Sequence, residues 1–175
     1  MNALTGRRAE LAALIRQYQR DADDFDQAVA ERAGINRTDL RCLDLLLELA
    51  MAGRGMTPGR LVEASGLTPS TITSVLDRLE RAGYVRRVRD QENRRQVILQ
   101  LTAEFAALTQ EIFGPVAEEA VGQLEQLSDN EVEVLLRFFA DGHDQRVKRA
   151  ALIREQTARQ AALDTARGGG GTETT

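Results

Sequence analysis

Arg78, Arg81, Arg86, Arg87, Arg89, Arg94 and Arg95 crowd one interval of a 175-residue chain whose formal net charge is −4. Guanidinium groups at this density are suited to phosphate oxygens and to the acceptor edges of bases. Just before them, Ser70, Thr71, Thr73 and Ser74 carry short hydroxyls that approach base edges or phosphates closely. Together these residues have the chemistry needed to read duplex DNA, with phosphate contacts setting the register and base contacts giving specificity. The same residue types would also make a plain solvated helix face, so the surrounding elements must decide. Overall acidity argues against indiscriminate nucleic-acid binding, but not against one local basic surface.

Other chemistries find little support. The chain has one Cys and one His, which excludes an intrachain disulfide and leaves no ligand cluster for a metal. Cys42 sits in an apolar helical context, where a buried structural thiol is a plainer reading than a redox sensor. His143 lies in a polar setting and reads as a surface residue. No nucleophile motif or phosphate-binding loop occurs, and Gly53-Arg54-Gly55 is too short to count as one. An enzyme, a cofactor and a metal are therefore not expected. Aromatics make up 4% of the residues and Trp is absent, which disfavours single-strand or RNA recognition by base stacking. With no apolar run near membrane length and no signal-peptide core at the N-terminus, the expected location is cytoplasmic.

The arginines and hydroxyls need a scaffold, and the residues around them specify one. Thr57-Pro58 and Thr68-Pro69 each pair an N-cap hydroxyl with a proline suited to the first helical position. Gly66 between them supplies the left-handed residue that ends the first helix. The pattern is helix, turn, helix with a glycine in the turn. The second helix is predicted over about Pro69 to Ala82 and ended by Gly83, with Ile72, Val75, Leu76 and Leu79 as its buried stripe. Its other face carries Ser70, Thr71, Thr73, Ser74, Asp77, Arg78 and Arg81. Two strands are predicted next, Tyr84 to Arg89 and Gln96 to Leu101, the second with Val97, Leu99 and Leu101 on one face. Asp90-Gln91-Glu92-Asn93 has the composition of a hairpin tip, and Arg94-Arg95 lies on its returning side.

Residues 56–102 resemble the winged helix-turn-helix of MarR-family transcription regulators. The family's wing signature is an Asp, any residue, an Arg, three residues, then Leu-x-Leu-Thr. This chain has Asn93-Arg94-Arg95, then Gln96-Val97-Ile98, then Leu99-Gln100-Leu101-Thr102. The run from Ser70 to Val85 is similar to the family's recognition helix, and Asn36-Arg37-Thr38-Asp39-Leu40-Arg41 matches how the family begins its second helix. Asn93 departs from the usual Asp: it keeps a hydrogen-bond acceptor but lacks the charge that would orient Arg95.

Elsewhere the chain reads as amphipathic helix. A helix is predicted from about Thr5 to Ala33, with Leu11, Leu14, Ile15, Tyr18, Phe25 and Val29 at threes and fours. Its length exceeds what a small core needs, so its surplus face is expected to meet a second subunit, although an ordinary core helix would show the same spacing. Asn36 is placed to cap the next helix with Asp39 as a capping box. Met56-Thr57 is placed as a short strand pairing with the hairpin. Thr102 should cap a long helix, kinked at Pro115 and continuing to Leu127. Ser128-Asp129-Asn130-Glu131 is a capping box for a last helix, and the Gly168 to Gly171 run begins a tail expected to be disordered.

The fold class is thus mainly α with a small β-hairpin wing. The expected domains are a dimerisation helix over 1–35, a winged helix-turn-helix over 36–102, dimerisation helices over 103–166 and a tail over 167–175. The expected DNA contacts are Ser70, Thr71, Thr73, Ser74, Arg78, Arg81, Arg86, Arg87, Asn93, Arg94 and Arg95. Within these, Ser70, Thr71, Ser74 and Arg78 would read bases, Arg94, Arg86 or Arg87 would neutralise phosphates, and Arg95 would lie beside the minor groove. The resemblance further implies a homodimer on a palindromic operator and a repressor released by a small aromatic or phenolic, usually anionic, effector. The implied pocket lies between the dimer helices and the winged helix, with Tyr18, Phe25, Cys42 and Leu46 as candidate lining. Thiol-sensing branches of that family place their reactive Cys near the first helix rather than at position 42. The Arg-over-Lys, Ala-rich composition points to a GC-rich bacterial genome. A winged-helix adaptor that sets its arginines against an acidic protein partner is the alternative.

Overall fold

Side chains that satisfy orphan amides mark most of the helix starts. The computed structural model describes residues 5–90 and 96–168. Its elements run α1 (Arg7–Ala33), α2 (Arg37–Met51), α3 (Pro58–Ser65), α4 (Pro69–Arg81), β1 (Val85–Arg89), β2 (Val97–Leu101), α5 (Ala103–Leu124) and α6 (Asp129–Gly168). Asn36 caps α2 as a complete box: its side chain accepts from the Asp39 amide at 2.9 Å, while the Asp39 carboxylate accepts from the Asn36 amide at 3.5 Å. Thr57 and Thr68 accept from the amides of Arg60 and Thr71. Gly66, at φ 69°, ends α3 in the left-handed region that the tight turn into α4 requires.

The chain divides into two compact units, Met1–Ala117 and Glu118–Thr175. The first has a core that belongs mostly to the helix-turn-helix. Leu43 and Leu46 of α2, Leu61 of α3 and the α4 stripe Ile72, Val75, Leu76 and Leu79 close over Val85 of β1, Leu99 of β2 and Phe105 of α5. Each such side chain contributes about 1.5–3 kcal/mol by leaving water. A smaller cluster joins Val29 and Ala30 of α1 to Leu40, with Ile112 and Phe113 packed against it. The strands pair antiparallel, with Val85 opposite Leu101, Arg87 opposite Leu99 and Arg89 opposite Val97.

Several expectations shift in detail. α1 begins at Arg7 because Gly6, with φ 57° and no side-chain acceptor, occupies its N-cap. Met56-Thr57 forms no strand: Thr57 is already committed to capping α3, and only the Met56 carbonyl accepts from the Leu99 amide, at 2.7 Å. α5 runs as one helix through Pro115 and stops at Leu124 rather than Leu127. In the second unit α6 starts after Ser128, whose amide and hydroxyl both donate to the Glu131 carboxylate, and it continues past Gly142 to Gly168. The tail after Gly168 and the hairpin tip with Asn93, Arg94 and Arg95 lie outside the described residues. No helix among the described residues is long and apolar enough to cross a membrane.

Apolar side chains also remain uncovered. Among the described residues, α1 buries only Val29, Ala30 and Ala33, while Leu11, Leu14 and Tyr18 are exposed. On α6, Leu136, Phe139, Leu152 and Ile153 are exposed as well.

Thr102 joins the hairpin to α5. Its hydroxyl donates to the Gly83 carbonyl at 2.7 Å and accepts from the Phe105 amide at 3.2 Å, and its own amide donates to the Tyr84 carbonyl. Thr102→Val keeps the shape but removes both hydroxyl bonds. It is expected to lower unfolding free energy by about 1–2 kcal/mol in urea denaturation; a loss below about 0.5 kcal/mol would mean that water replaces the cap.

Candidate nucleic-acid interface

The outward side of α4 has a crest and two flanks. Ser70, Ser74, Asp77 and Arg81 follow one another at helical spacing along the crest, and all four are exposed. Ser74 donates its hydroxyl to the Ser70 carbonyl and Thr73 donates to the Pro69 carbonyl. These bonds use the protons and leave the hydroxyl oxygens with acceptor capacity on exposed residues. The Ser70 and Thr71 hydroxyls both meet that of Thr68, at 3.0 and 2.8 Å, and Thr71 is half-buried. Arg81 bonds the Asp77 carbonyl through Nε and is otherwise turned to solvent.

Arg78 does not point out with the crest. It turns toward α2 and meets Asp39, whose side chain is 1% exposed. Nε lies 2.9 and 3.2 Å from the two carboxylate oxygens, and Nη2 lies 2.6 Å from Oδ1. The hydrogen bond to Asp39 holds the Arg78 proton more tightly than usual. Arg78, expected at a base, is thus ion-paired with a carboxylate buried in α2.

Arg87 is ion-paired on the opposite flank. Its Nη1 sits 2.7 Å from both the Asp77 and Glu80 carboxylates, its Nη2 donates to the Thr73 carbonyl, and its amide donates to Glu80. Partial burial works against its charge, but the bonds to Asp77 and Glu80 outweigh that and raise its affinity for the proton. The Arg87 side chain is 27% exposed and clamps β1 to α4. Among the arginines expected at phosphates, Arg86 is exposed on β1. Asn93, Arg94 and Arg95 lie outside the described residues. The sequence signal for Arg87 was present, in Asp77 and Glu80 one helical turn apart. The partner of Arg78 lies 39 residues away and left no local trace.

The four residues expected to line an effector pocket are not brought together. Leu46 is sealed in the core, and Tyr18 is 74% exposed on a part of α1 that this chain leaves uncovered. Phe25 packs edge-on against Phe113, with ring centroids 5.6 Å apart. Cys42 is buried in the wall of a cavity of about 350 Å³ beside Arg37, Thr38, Arg41 and Ser65. Burial, then the Asp39 carboxylate, pushes its thiol up, away from the reactive thiolate. A second cavity, of about 240 Å³, lies between α1, α2 and α5, lined by Val29, Leu43, Leu47, Phe105 and Phe113 with Asp44 and Thr109. The Thr109 hydroxyl is buried there without a hydrogen-bond partner among the described residues. Asp44 lines both cavities and is exposed. Burial, then Asp26 and Glu48, lifts its carboxyl above the ordinary range.

Known proteins place this arrangement. A family model for the MarR family matches residues 33–96. An uncharacterized HTH-type transcriptional regulator, YcgE of Bacillus subtilis, is 33% identical over 120 residues, which span 69% of this chain and 75% of YcgE. The chain belongs to the MarR family. The HTH-type transcriptional regulator PecS of Dickeya dadantii is 34% identical over 116 residues, covering 65% of this chain and 63% of PecS. Among solved structures, a MarR family protein from Bacillus stearothermophilus superposes with a TM-score of 0.57 at 27% identity, covering 83% of this chain and 99% of that one. The S. aureus MepR-DNA complex shares the fold at a TM-score of 0.55 and 21% identity, over 74% of this chain and 95% of MepR. The chain is therefore a MarR-type helix-turn-helix transcriptional regulator. The family match takes in α2, α3, α4 and β1, and so both Asp39 and Arg78.

The raised Asp44 carboxyl has a sign that can be measured. Its folded pKa lies above the unfolded value, so the native state binds more protons in the window just above the ordinary carboxylate value. Stability therefore falls as pH rises through that window. Asp44→Asn removes the effect. It should raise the thermal unfolding midpoint at neutral pH and leave it unchanged at about pH 3, below the ordinary Asp value. An equal gain at both pH values would assign the effect to packing.

Proposed function

We propose that this regulator is a homodimer that reads a palindromic operator and represses transcription until a small aromatic ligand binds. The carrying observation is the crest of α4: Ser70, Ser74 and Arg81 stand exposed on a helix held on both flanks, beside a basic hairpin. A helix so held presents its hydroxyls to the floor of the major groove with little freedom to tilt. Ser70, Thr73 and Ser74 contact bases. Arg81 and Arg86 contact phosphates, and Asn93, Arg94 and Arg95 carry the wing to the minor groove. Two copies join through the apolar faces of the first and last helices, where Leu11, Leu14 and Tyr18 of α1 and Leu136 and Phe139 of α6 are exposed. The MepR-DNA complex is a precedent for DNA binding by this fold, and YetL of Bacillus subtilis, 29% identical over 86 residues, is named a repressor. Such a protein works in the cytoplasm.

The apolar cavity between α1, α2 and α5 supports the effector reading and narrows it. Among the described residues no Arg, Lys or His lines that cavity, and its polar side chains are the Thr109 hydroxyl and the Asp44 carboxyl. An anionic ligand would meet no counter-charge, whereas a neutral phenol would donate to Asp44 or pair with Thr109. Binding shifts α5 and α2, and with them the spacing of the two recognition helices.

The test is a gel shift with the duplex flanking the protein's own gene, titrated against salt. A complex of two protomers per site is expected, with binding that falls steeply as salt rises. Arg95→Ala should weaken it by roughly tenfold. A flat salt response sinks the phosphate contacts, and unchanged Arg95→Ala affinity at moderate salt sinks the wing assignment.

A further inference from the structure

We propose that Asp39 is a specificity-determining residue: it withholds the Arg78 guanidinium from DNA and commits it to positioning α4, leaving base reading to the crest. The inference rests on the DNA-binding reading above and adds to it a residue that never touches the nucleic acid. Arg78 belongs to the outward side of the recognition helix by sequence, between Ser74 and Arg81, and its side chain is 36% exposed. Left free, it would reach a phosphate or a guanine edge. A phosphate contact of that kind is blind to sequence and strengthens binding to every duplex by counterion release.

The geometry keeps it from doing so. Two guanidinium nitrogens are bonded to the two oxygens of one carboxylate, the bidentate arrangement that suits arginine best. The Asp39 side chain is 1% exposed and its backbone amide closes the α2 capping box, so it can neither follow Arg78 outward nor meet water if abandoned. Releasing Arg78 would strand a buried charge, which costs more than a solvent-screened phosphate contact returns. Arg87 differs: its partners Asp77 and Glu80 are 53% and 40% exposed and stay hydrated when released. The withholding is therefore particular to the Asp39–Arg78 pair.

Salt titrations of fluorescence anisotropy on a random-sequence duplex and on the duplex flanking the gene separate this role from a purely structural one. Asp39→Asn keeps an acceptor for the capping box but removes the charge that detains Arg78. Its salt slope on the random duplex should steepen by about 0.9 per protomer as one more phosphate is engaged, and its preference for the flanking duplex should fall about tenfold, the scale of one lost base discrimination. The double variant Asp39→Asn/Arg78→Gln replaces the ion pair by two amides and should return the slope to the wild-type value. Arg81→Gln serves as the control for a true contact and should lower the slope. An Asp39→Asn slope equal to wild type overturns the proposal, as does a double variant whose slope falls below wild type by about 0.9 per protomer, since Arg78 would then have been a phosphate contact all along. If Asp39→Asn fails to fold by circular dichroism, the double variant decides alone by the same criterion. Wild type that binds neither duplex overturns the DNA-binding reading, and this assignment with it; wild type that binds both while the variants miss these slopes overturns only the assignment.

Discussion

A carboxylate at 1% exposure must have a cation, and in this chain that requirement ties the reading helix to the rest of the fold. Asp39 is the third residue of α2 and its amide is part of the α2 cap, so its position follows from where that helix begins. Arg78 is in the third turn of α4. Joining them sets the roll of α4 about its own axis, which decides which side chains form the crest. The apolar stripe Ile72, Val75, Leu76 and Leu79 holds α4 to the core, but apolar contact is non-directional and tolerates sliding. A bidentate ion pair tolerates much less. Arg87 adds a second restraint from the other side, through Asp77, Glu80 and the Thr73 carbonyl. Hydrophobic burial keeps the helix in place, and the two charged clamps orient it.

What could be read from the sequence follows from the range of each interaction. Caps act over three residues, and Asn36 with Asp39, Thr57, Thr68 and Thr102 all do what their local sequence implies. The buried stripe of α4 and the two strands follow from periodicity, which is also local. Arg78 and Arg87 show where such reading stops. Nothing near Arg78 distinguishes it from Arg81, and the difference lies in a carboxylate on another helix. Met56 illustrates the same limit from the other side, since one backbone bond to Leu99 survives where a strand was expected. Tyr18 and Leu46 sit at plausible spacing for a pocket, yet one is open to solvent and the other sealed. Spacing gives the face of a helix but not what covers it.

The acidic balance of the chain also takes on a local meaning. A basic interval inside a chain of net charge −4 first suggests seven equivalent arginines on one DNA-facing surface. Instead, Asp39, Asp77 and Glu80 form ion pairs with two of them, Arg78 on α4 and Arg87 on β1. Each pair keeps a rigid, planar side chain where geometry needs it, and the Asp39–Arg78 pair, whose carboxylate is buried, also holds its charge back from indiscriminate attraction. Arg81, exposed on the crest, and Arg86, exposed on β1, form no such carboxylate ion pair among the described residues. Selectivity in a duplex reader depends on the ratio of specific to general binding, and general binding scales with the count of free cations. Lowering that count while stiffening the reading helix improves the ratio through both terms, because a helix fixed in roll presents the same hydroxyls to every site and gains affinity only where the bases match.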